Sequence, residues 1–354
     1  MDGEKQPLSK KKRIMMILCA ILFVILLLLV SVIIWVNHLL NQMGDLPEQT
    51  LSPEQIASIL NATEPTDPSD EQTSPTIDPA AVTMPTEPAE TIPVGEEVIN
   101  ILLVGQDMSG GNSRSLADST ILCTIDRVDK TLTMTSFMRD MYVRIPGYYD
   151  WKLNVAYMLG GAETLNETLE YNFGVRGDHT VVVNFAGFEK IVDLVGGLDI
   201  ELTQKEADYL NRRGNWDAND ETAGTWNLVE GVNHMTGIQT LAYSRIRAIG
   251  SDFSRTSRQR YVLTLLVEKA KGLNVTQFYN LLNEILPLLY TDMENSEVLN
   301  YVAMVLPVLK DMEIISQRIP ADGTYTSESI KGPGSCIVPN LDLNRQILSD
   351  TIGS

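Results

Sequence analysis

Arginines are concentrated between Arg245 and Arg260, in a chain that is otherwise acidic. The stretch RIRAIGSDFSRTSRQR contains five arginines and one aspartate, whereas the chain of 354 residues has a formal net charge of −19. Because like charges repel, such a cluster needs carboxylates or an anionic ligand beside it. The guanidinium fork matches phosphate oxygens, so the stretch predicts a site for a ligand with several negative charges, and we favour a diphosphate. An internal salt-bridge network with Asp252 and other carboxylates is the alternative.

The spacing of these arginines predicts where they point. An apolar stripe indicates a helix from Tyr261 to Leu273, which can be extended back to Arg255 at about 100° per residue. Three side chains then share its inward face: Arg255, Arg258 and Gln259. Arg260 is predicted to point to solvent. Upstream, an extended segment would place three more side chains on one face, because side chains alternate along a strand. These are Tyr243, Arg245 and Arg247.

Two aspartates are candidates for a cation site beside the arginines. Asp107 follows an apolar run, Val98 to Gly105, and Asp118 closes the polar loop after it, so the two carboxylates can converge. Mg²⁺ takes one or two carboxylates, keeps waters and binds phosphate oxygens, which fits a cation between these residues and a diphosphate. The alternative is that both are ordinary loop or cap aspartates.

Apolar runs of strand length alternate with amphipathic segments of helix length along the chain. The predicted strands are Val98–Gly105, Thr120–Asp126, Thr131–Met138, His179–Asn184, Asp199–Leu202 and Glu313–Ile319, and the predicted helices include Ala162–Tyr171, Phe185–Val195 and Thr236–Ala242. This alternation predicts an α/β domain with a central mixed β-sheet and helices on both faces. Sites in such sheets lie at the carboxyl ends of strands, where Asp107 and Arg139 are expected.

The N-terminal region predicts a membrane anchor. Residues 1–13 form a basic head, and Ile14 to Val36 is a run of 23 residues without a charge inside the predicted span 14–40. At 1.5 Å per residue the run covers roughly 35 Å, against a hydrocarbon core of about 30 Å. The apolar region of a cleaved signal peptide, the alternative, is shorter, about 7–15 residues. Lysines before the span put the amino terminus in the cytoplasm and the remainder outside in a single pass.

The composition then divides the rest of the chain into three parts. Residues 41–97 are rich in proline, threonine and acidic residues, with no lysine or arginine, and are predicted to form a disordered linker. Residues 98–272 are the predicted external domain, and residues 273–354 a C-terminal extension of helices and short strands without chemistry. Because the linker carries most of the negative charge, charge does not argue for nucleic-acid binding. A disulfide between Cys123 and Cys336 is not predicted.

An ordered series of motifs resembles the LytR-CpsA-Psr family. The matching stretches are LLVGQD (102–107), ADST (117–120), SFMRD (136–140), KLNVAY (152–157), GFEKIVDLVGGLDI (187–200), LAYSRIR (241–247) and DFSRTSRQ (252–259). The resemblance implies Mg²⁺ at Asp107 and Asp118. It also implies pyrophosphate binding by a set of basic residues with one glutamine: Arg139, Lys152, Arg245, Arg247, Arg255, Arg258 and Gln259. The sequence departs from the family pattern at Leu116 and Met108.

The resemblance further implies a Mg²⁺-dependent phosphotransferase that joins glycopolymers to the cell wall. The donor would be a polyprenyl-pyrophosphate-linked glycopolymer, such as a teichoic acid or capsular polysaccharide, and the acceptor a peptidoglycan hydroxyl. Asp107 or Asp118 would accept the hydroxyl proton, and Arg139 and Arg247 would stabilise the transferring phosphoryl group. A membrane-tethered regulatory protein that binds a lipid diphosphate without turnover and a polyprenyl pyrophosphatase are the alternatives.

Overall fold

The computed structural model of the chain describes residues 43–46, 52, 54–55, 76–106, 115–212 and 226–353. The predicted cytoplasmic head and the predicted membrane span 14–40 lie outside these ranges. Within them, no helix has the length and apolar character needed to cross a bilayer. The chain from Gly44 onward forms one compact unit.

A seven-stranded sheet lies at the centre of this unit, in the order β1-β10-β7-β2-β3-β4-β11. The strands are β1 (Gly44–Asp45), β2 (Val98–Gln106), β3 (Ala117–Asp126), β4 (Thr131–Phe137), β5 (Tyr142–Arg144), β6 (Asp150–Lys152), β7 (His179–Asn184), β8 (Leu198–Leu202), β9 (Gly231–Met235), β10 (Leu289–Thr291), β11 (Glu313–Ile319), β12 (Tyr325–Ile330) and β13 (Gly334–Pro339). Strands β2, β3 and β4 are antiparallel neighbours, whereas β7 runs parallel to β2 and β11 parallel to β4. The predicted mixed sheet is therefore confirmed.

Helices cover both faces of the sheet. The α-helices are α1 (Leu153–Phe173), α2 (Phe185–Leu194), α3 (Gln204–Leu210), α4 (Gly237–Ser244), α5 (Asp252–Lys271), α6 (Val275–Ile285), α7 (Asn295–Val305) and α8 (Leu341–Ile352). Leu122 of β3 packs in a core with α1 and α8, while its neighbours Ile121 and Cys123 pack in a core with α5 and α7. This division follows from the strand geometry, because successive side chains point to opposite faces.

A second core lies beside the sheet and anchors helix α5. The hairpin of β8 and β9 buries every second residue of β8, and these pack with α3, α4 and Val262 of α5. Helix α3 begins in a capping box, in which the Thr203 side chain and Glu206 satisfy each other's backbone amides. Helix α5 thus spans from the sheet to this second core.

Two segments outside the predicted domain 98–272 are joined to it. The segment 76–97 was assigned to a disordered linker, yet it is hydrogen-bonded to the domain: Ile77 N donates to Ser329 O at 2.8 Å, Ala89 N to Tyr171 O at 2.9 Å, and Ile92 N to Gly174 O at 2.8 Å. These hydrogen bonds join the segment to residues distant in the sequence, so the local sequence pattern does not predict them. The segment 273–354, predicted as an extension packed on the domain, supplies β10 and β11 to the central sheet. Cys123 and Cys336 are free, buried thiols.

Candidate functional site

The site forms where β3 begins and β4 ends. Because β3 and β4 are antiparallel neighbours, the start of β3 and the end of β4 meet at one edge of the sheet. Asp118 lies at the first of these points, and Arg139 lies just beyond the second. Arg139 Nη1 donates to Asp118 Oδ1 at 3.1 Å, and the Arg139 side chain is 9% exposed against 28% for Asp118. A buried arginine and a more accessible carboxylate therefore face each other across the sheet edge.

The first turn of α5 brings a second arginine and a second carboxylate to Arg139. Arg255 Nη2 lies 2.5 Å from Asp252 Oδ1, and the same oxygen lies 3.5 Å from Arg139 Nε. Burial raises the pKa of the Asp252 carboxyl in spite of the neighbouring Arg255 and Arg139. Burial lowers the pKa of Arg255 to about 10; Asp252 opposes this shift, and Arg139 and Arg247 add to it. The salt-bridge network that the sequence offered as an alternative is thus present around Asp252.

Residues from β3, β4 and α5 line a narrow cleft at this point. They are Asp118, Ser119, Thr120, Ser136, Phe137, Arg139, Arg255, Thr256 and Gln259. Three of their buried polar atoms have no hydrogen-bond partner among the described residues: Thr120 Oγ1, Ser136 Oγ and Arg255 Nε. Buried polar groups are normally hydrogen-bonded, so unmet groups at a cleft indicate a place for ligand oxygens. A ligand with several acceptor oxygens suits this lining.

Arg245 and Arg247 do not share a face, contrary to the prediction of an extended segment. Helix α4 continues to Ser244, and Arg245 closes it in a helical conformation. Arg245 is exposed, with its guanidinium 4.4 Å from the centre of the Phe185 ring. Arg247 instead approaches the cleft, where its Nη2 lies 3.6 Å from Asp118 Oδ1. One of the two arginines is therefore next to the cleft in this structure.

Lys152 joins the network through Asp140, the residue that follows Arg139 in the chain. Lys152 Nζ lies 3.2 Å from Asp140 Oδ1, and Arg139 Nε lies 3.4 Å from Asp140 Oδ2. Burial by itself would raise the pKa of Asp140, but Arg139 and Lys152 together lower it below its usual value. Lys152 consequently lies behind Arg139 rather than in the lining of the cleft.

Arg258 is buried, as predicted, but its guanidinium binds partners in the second core. Its Nε donates to Glu206 Oε1 at 2.7 Å and its Nη1 to the Ile246 carbonyl oxygen at 3.1 Å. The guanidinium also lies 5.8 Å from the centre of the Tyr243 ring. Burial alone would raise the pKa of Glu206, but its hydrogen bonds to Thr203 and Arg258 hold it below its usual value. Arg258 therefore meets a carboxylate and a backbone carbonyl oxygen away from the residues that line the cleft.

The other side chains of α5 divide as follows. Gln259 lines the cleft together with Arg255, as the helical spacing predicts. The prediction that Arg260 points to solvent is wrong, because its Nε donates to Ser316 Oγ of β11 at 2.9 Å. The helix rests on the sheet along more of its circumference than a single stripe indicates.

The predicted cation site is described only in part. Asp107 lies outside the described residues, and Asp118 faces the cleft with its carboxylate beside Arg139 and Arg247. Within the described ranges, no group of three or more histidine, cysteine or acidic side chains could hold a metal ion. Asp118 is a partly exposed carboxylate at the cleft, and Mg²⁺ is a cation that binds through one or two carboxylates and substrate phosphates.

Of the carboxylates that pair with these arginines, Asp252 is predicted only as a salt-bridge partner, and no role is predicted for Asp140 or Glu206. The spacing of Asp252 and Arg255, three apart on a helix, is a signal for an ion pair that sequence alone provides. Glu206 gave no such signal, because it meets Arg258 from 52 residues away.

The chain is similar to several known proteins. A family model described as LytR_cpsA_psr matches residues 58–337. Regulatory protein MsrR of Staphylococcus aureus (strain COL) is 30% identical over 257 residues, which cover 71% of this chain and 73% of MsrR. Polyisoprenyl-teichoic acid–peptidoglycan teichoic acid transferase TagT of Bacillus subtilis (strain 168) is 30% identical over 190 residues, 52% of this chain and 57% of TagT. The solved structure of YwtF (TagT) with bound octaprenyl pyrophosphate lipid has a TM-score of 0.55 and 21% identity, and the match covers 78% of this chain and 100% of that one. This last likeness concerns the fold.

Proposed function

The chain belongs to the LytR_cpsA_psr family, and from that premise we propose that it transfers a glycopolymer from a polyprenyl pyrophosphate carrier to a peptidoglycan hydroxyl. The observation that carries the proposal is the cleft in which Arg139 and Arg255 meet beside Asp118. The relative TagT is named a teichoic acid transferase, so a teichoic-acid-like polymer is the donor that we propose.

The arginines of the cleft would hold the pyrophosphate of the donor. In this proposal Arg139 and Arg255 bind its oxygens from below, and Arg247, whose side chain is 43% exposed, approaches from the open side. Charge-assisted hydrogen bonds from guanidinium groups are the strongest class available to a protein for phosphate. Asp252 would keep the two buried arginines in place before the donor arrives, because it already contacts both.

The isoprenoid chain needs an apolar surface next to this cleft. The face of the sheet under α5 and α7 carries buried apolar side chains from β3 and β4, namely Ile121, Cys123, Leu132 and Met134. The helix layer above it is less tightly closed, since Leu263 and Val267 of α5 and Val305 of α7 are only partly buried. We propose that the isoprenoid lies between these layers.

The reaction is a phosphoryl transfer from one oxygen to another. The acceptor hydroxyl oxygen attacks the sugar-linked phosphorus, the bond from that phosphorus to the bridging oxygen breaks, and polyprenyl phosphate leaves. The hydroxyl proton passes to a carboxylate, for which Asp107 and Asp118 are the proposed candidates. Arg139, Arg247 and Arg255 would stabilise the charge on the equatorial oxygens during transfer. A bound Mg²⁺, held by Asp118 and Asp107, would neutralise part of the phosphate charge.

Transfer can be tested with the full chain in detergent, an octaprenyl-diphosphate-linked glycan and peptidoglycan fragments. We expect a phosphodiester-linked product by mass spectrometry and a rate about 100-fold lower for Arg139→Gln, the cost typical of losing one oxyanion donor. Arg127→Gln is the matched control, since Arg127 pairs with Glu97 at the opposite end of β3. Its rate should remain at the wild-type level.

Two other outcomes would point to the alternatives. Donor binding without any turnover would indicate a regulatory protein that binds a lipid diphosphate. Release of glycan phosphate without linkage to peptidoglycan would indicate a pyrophosphatase. Either outcome in the wild-type chain contradicts the transferase proposal.

A further inference from the structure

A second pair of arginines lies beside the cleft, and the proposed reaction does not use it. Arg260 of α5 donates from Nε to Ser316 Oγ of β11 at 2.9 Å, but its Nη1 is buried and has no hydrogen-bond partner among the described residues. No carboxylate in the described part of the chain forms an ion pair with it. Because this nitrogen is shielded from water, leaving it without a partner is costly unless an anion reaches it.

Arg318 projects from the same face of β11 as Ser316, because side chains two residues apart on a strand share a face. Its guanidinium lies 4.4 Å from the centre of the Phe253 ring of α5, and its Nε donates to the Pro320 carbonyl oxygen at 3.0 Å. Its carboxylate partner, Asp322, is 92% exposed, so solvent weakens that ion pair. Burial and the nearby positive charge of Arg318 together lower the pKa of Arg260 to about 10.

The strand register places this pair next to the cleft. Strand β11 is parallel to β4, and Arg318 is the register partner of Ser136, which lines the cleft. Neighbouring strands lie about 4.8 Å apart, so Arg318 is one strand away from the cleft lining. On α5, Phe253 under Arg318 directly follows Asp252, which contacts the cleft arginines. The pair Arg260 and Arg318 and the cleft arginines Arg139 and Arg255 therefore lie on or against the same helix, α5, at the same edge of the sheet.

We propose that Arg260 and Arg318 form a second oxyanion-binding site for an anionic group of the substrates, separate from the pyrophosphate. This inference rests on the proposed transferase function. The oxyanion is either a phosphate within the donor glycan or a carboxylate of the peptidoglycan acceptor, since both present oxygens that a guanidinium pair can bind. The alternative is a purely structural role, in which Arg260 only connects α5 to β11 through its hydrogen bond to Ser316.

The test compares substrates that differ in one charge, using the full chain in detergent. The first arm measures the affinity for two octaprenyl-diphosphate glycans, one neutral in its glycan and one with a single glycerol phosphate on the same sugar. The second arm measures the acceptor KM for peptidoglycan fragments with free or amidated carboxylates. Arg260→Gln and Arg318→Gln are each expected to weaken the binding of one charged substrate about tenfold, seen as a lower donor affinity or a higher acceptor KM. Binding of the matching neutral substrate should stay unchanged.

Arg345→Gln is the matched control. Arg345 also pairs with an exposed carboxylate, Asp342, and donates from Nε to a carbonyl oxygen, that of Asn172, at 2.8 Å, but it lies on α8. Loss confined to the phosphate-bearing donor assigns the site to the donor, and loss confined to the free-carboxylate acceptor assigns it to the acceptor. Equal loss for charged and neutral substrates, loss also in Arg345→Gln, or no loss at all would overturn the inference.

Folding and the proposed function are checked separately. Melting temperatures show whether a variant is folded, and Arg318→Gln carries the test by itself if Arg260→Gln does not fold, since Arg260 bonds to Ser316 and Arg318 does not. Donor affinity is measured apart from transfer. Absence of transfer by the wild-type chain would contradict the transferase function, whereas only the charge-dependent pattern among the variants decides the second site.

Discussion

Arg255 and Arg258 lie one turn apart on α5, are both buried, and each pairs with one carboxylate, yet their surroundings differ. Arg258 meets Glu206 in the second core, where Arg258 also donates to the Ile246 carbonyl oxygen and Glu206 accepts from the Thr203 amide. Arg255 meets Asp252 at the cleft, where Arg139 and Arg247 add positive charge. In the network formed by the cleft and by Lys152 and Asp140 behind it, four basic side chains meet three carboxylates: Arg139, Lys152, Arg247 and Arg255 meet Asp118, Asp140 and Asp252.

The difference shows how one helix can hold a structural and a functional arginine. In the second core the single pair is balanced, and the hydrogen bonds lower the pKa of Glu206. At the cleft, burial lowers the pKa of Arg255, and the neighbouring positive charges of Arg139 and Arg247 add to that shift. Arginines that disfavour one another's charge without a ligand are ones that an anionic ligand stabilises. Burial alone therefore does not distinguish the two roles, whereas the surrounding charges do.

The largest expected effect is on stability, from Arg258→Met. This change leaves the Glu206 carboxylate buried without its partner, which should lower the free energy of unfolding by about 3 kcal/mol. Urea denaturation measures it, and the double variant Arg258→Met with Glu206→Gln should recover part of the loss. The affinity for octaprenyl pyrophosphate should stay unchanged. A stable Arg258→Met protein with weakened affinity would move Arg258 into the binding site.

The next effect is on affinity, from Arg255→Met. Loss of a charge-assisted contact should cost about 1.5–3 kcal/mol, or roughly 10- to 150-fold in affinity for octaprenyl pyrophosphate. Stability should fall less than in Arg258→Met, because Asp252 keeps its contact with Arg139. Arg255→Lys, which retains the charge but not the planar fork, should give an intermediate affinity. Unchanged affinity in Arg255→Met would remove the residue from the site.

The smallest effect is a change in the pH dependence of stability, from Asp252→Asn. The pKa of Asp252 is raised in the folded chain above its ordinary value of 3.8. The folded state then binds more protons than the unfolded state from that value up to the raised pKa, so this carboxyl makes stability fall as pH rises through that window. Unfolding measured from pH 4 to pH 8 should show a weaker decline for Asp252→Asn than for wild type. A steeper decline in the variant would contradict the sign of the shift.

Much of the sheet could be predicted from the sequence, because short apolar runs are typical of buried strands. Strand β11 has the predicted bounds, Glu313 to Ile319, and β7 those predicted for His179 to Asn184. The segment α1 is interrupted at Gly161, whose φ of 73° and ψ of −154° lie outside the helical region, so a second helical part follows this kink from Ala162, where a helix is predicted. The adjacent glycines Gly160 and Gly161 are the local signal for that break.

The candidate site was predictable in its residue types but not in its pairings. The motif residues and their helical spacing identified Arg255 and Gln259 as inward-facing neighbours, and both line the cleft. The direction of Arg247 depended on where α4 ends, and that helix runs two residues beyond the predicted end. Helix ends are set by caps and tertiary contacts, which an apolar stripe does not contain.

The amino-acid sequence sets the chemistry available to this protein: a concentrated set of arginines, a few carboxylates at strand ends, and an α/β scaffold to bring them together. Which carboxylate each arginine meets depends on the folded chain. Asp118 reaches Arg139 across 21 residues and Glu206 reaches Arg258 across 52. The strength of an ion pair depends on distance and on the surrounding medium, and both are fixed only when the chain has folded. Hence Arg255 and Arg258, equivalent on a helical wheel, have different roles.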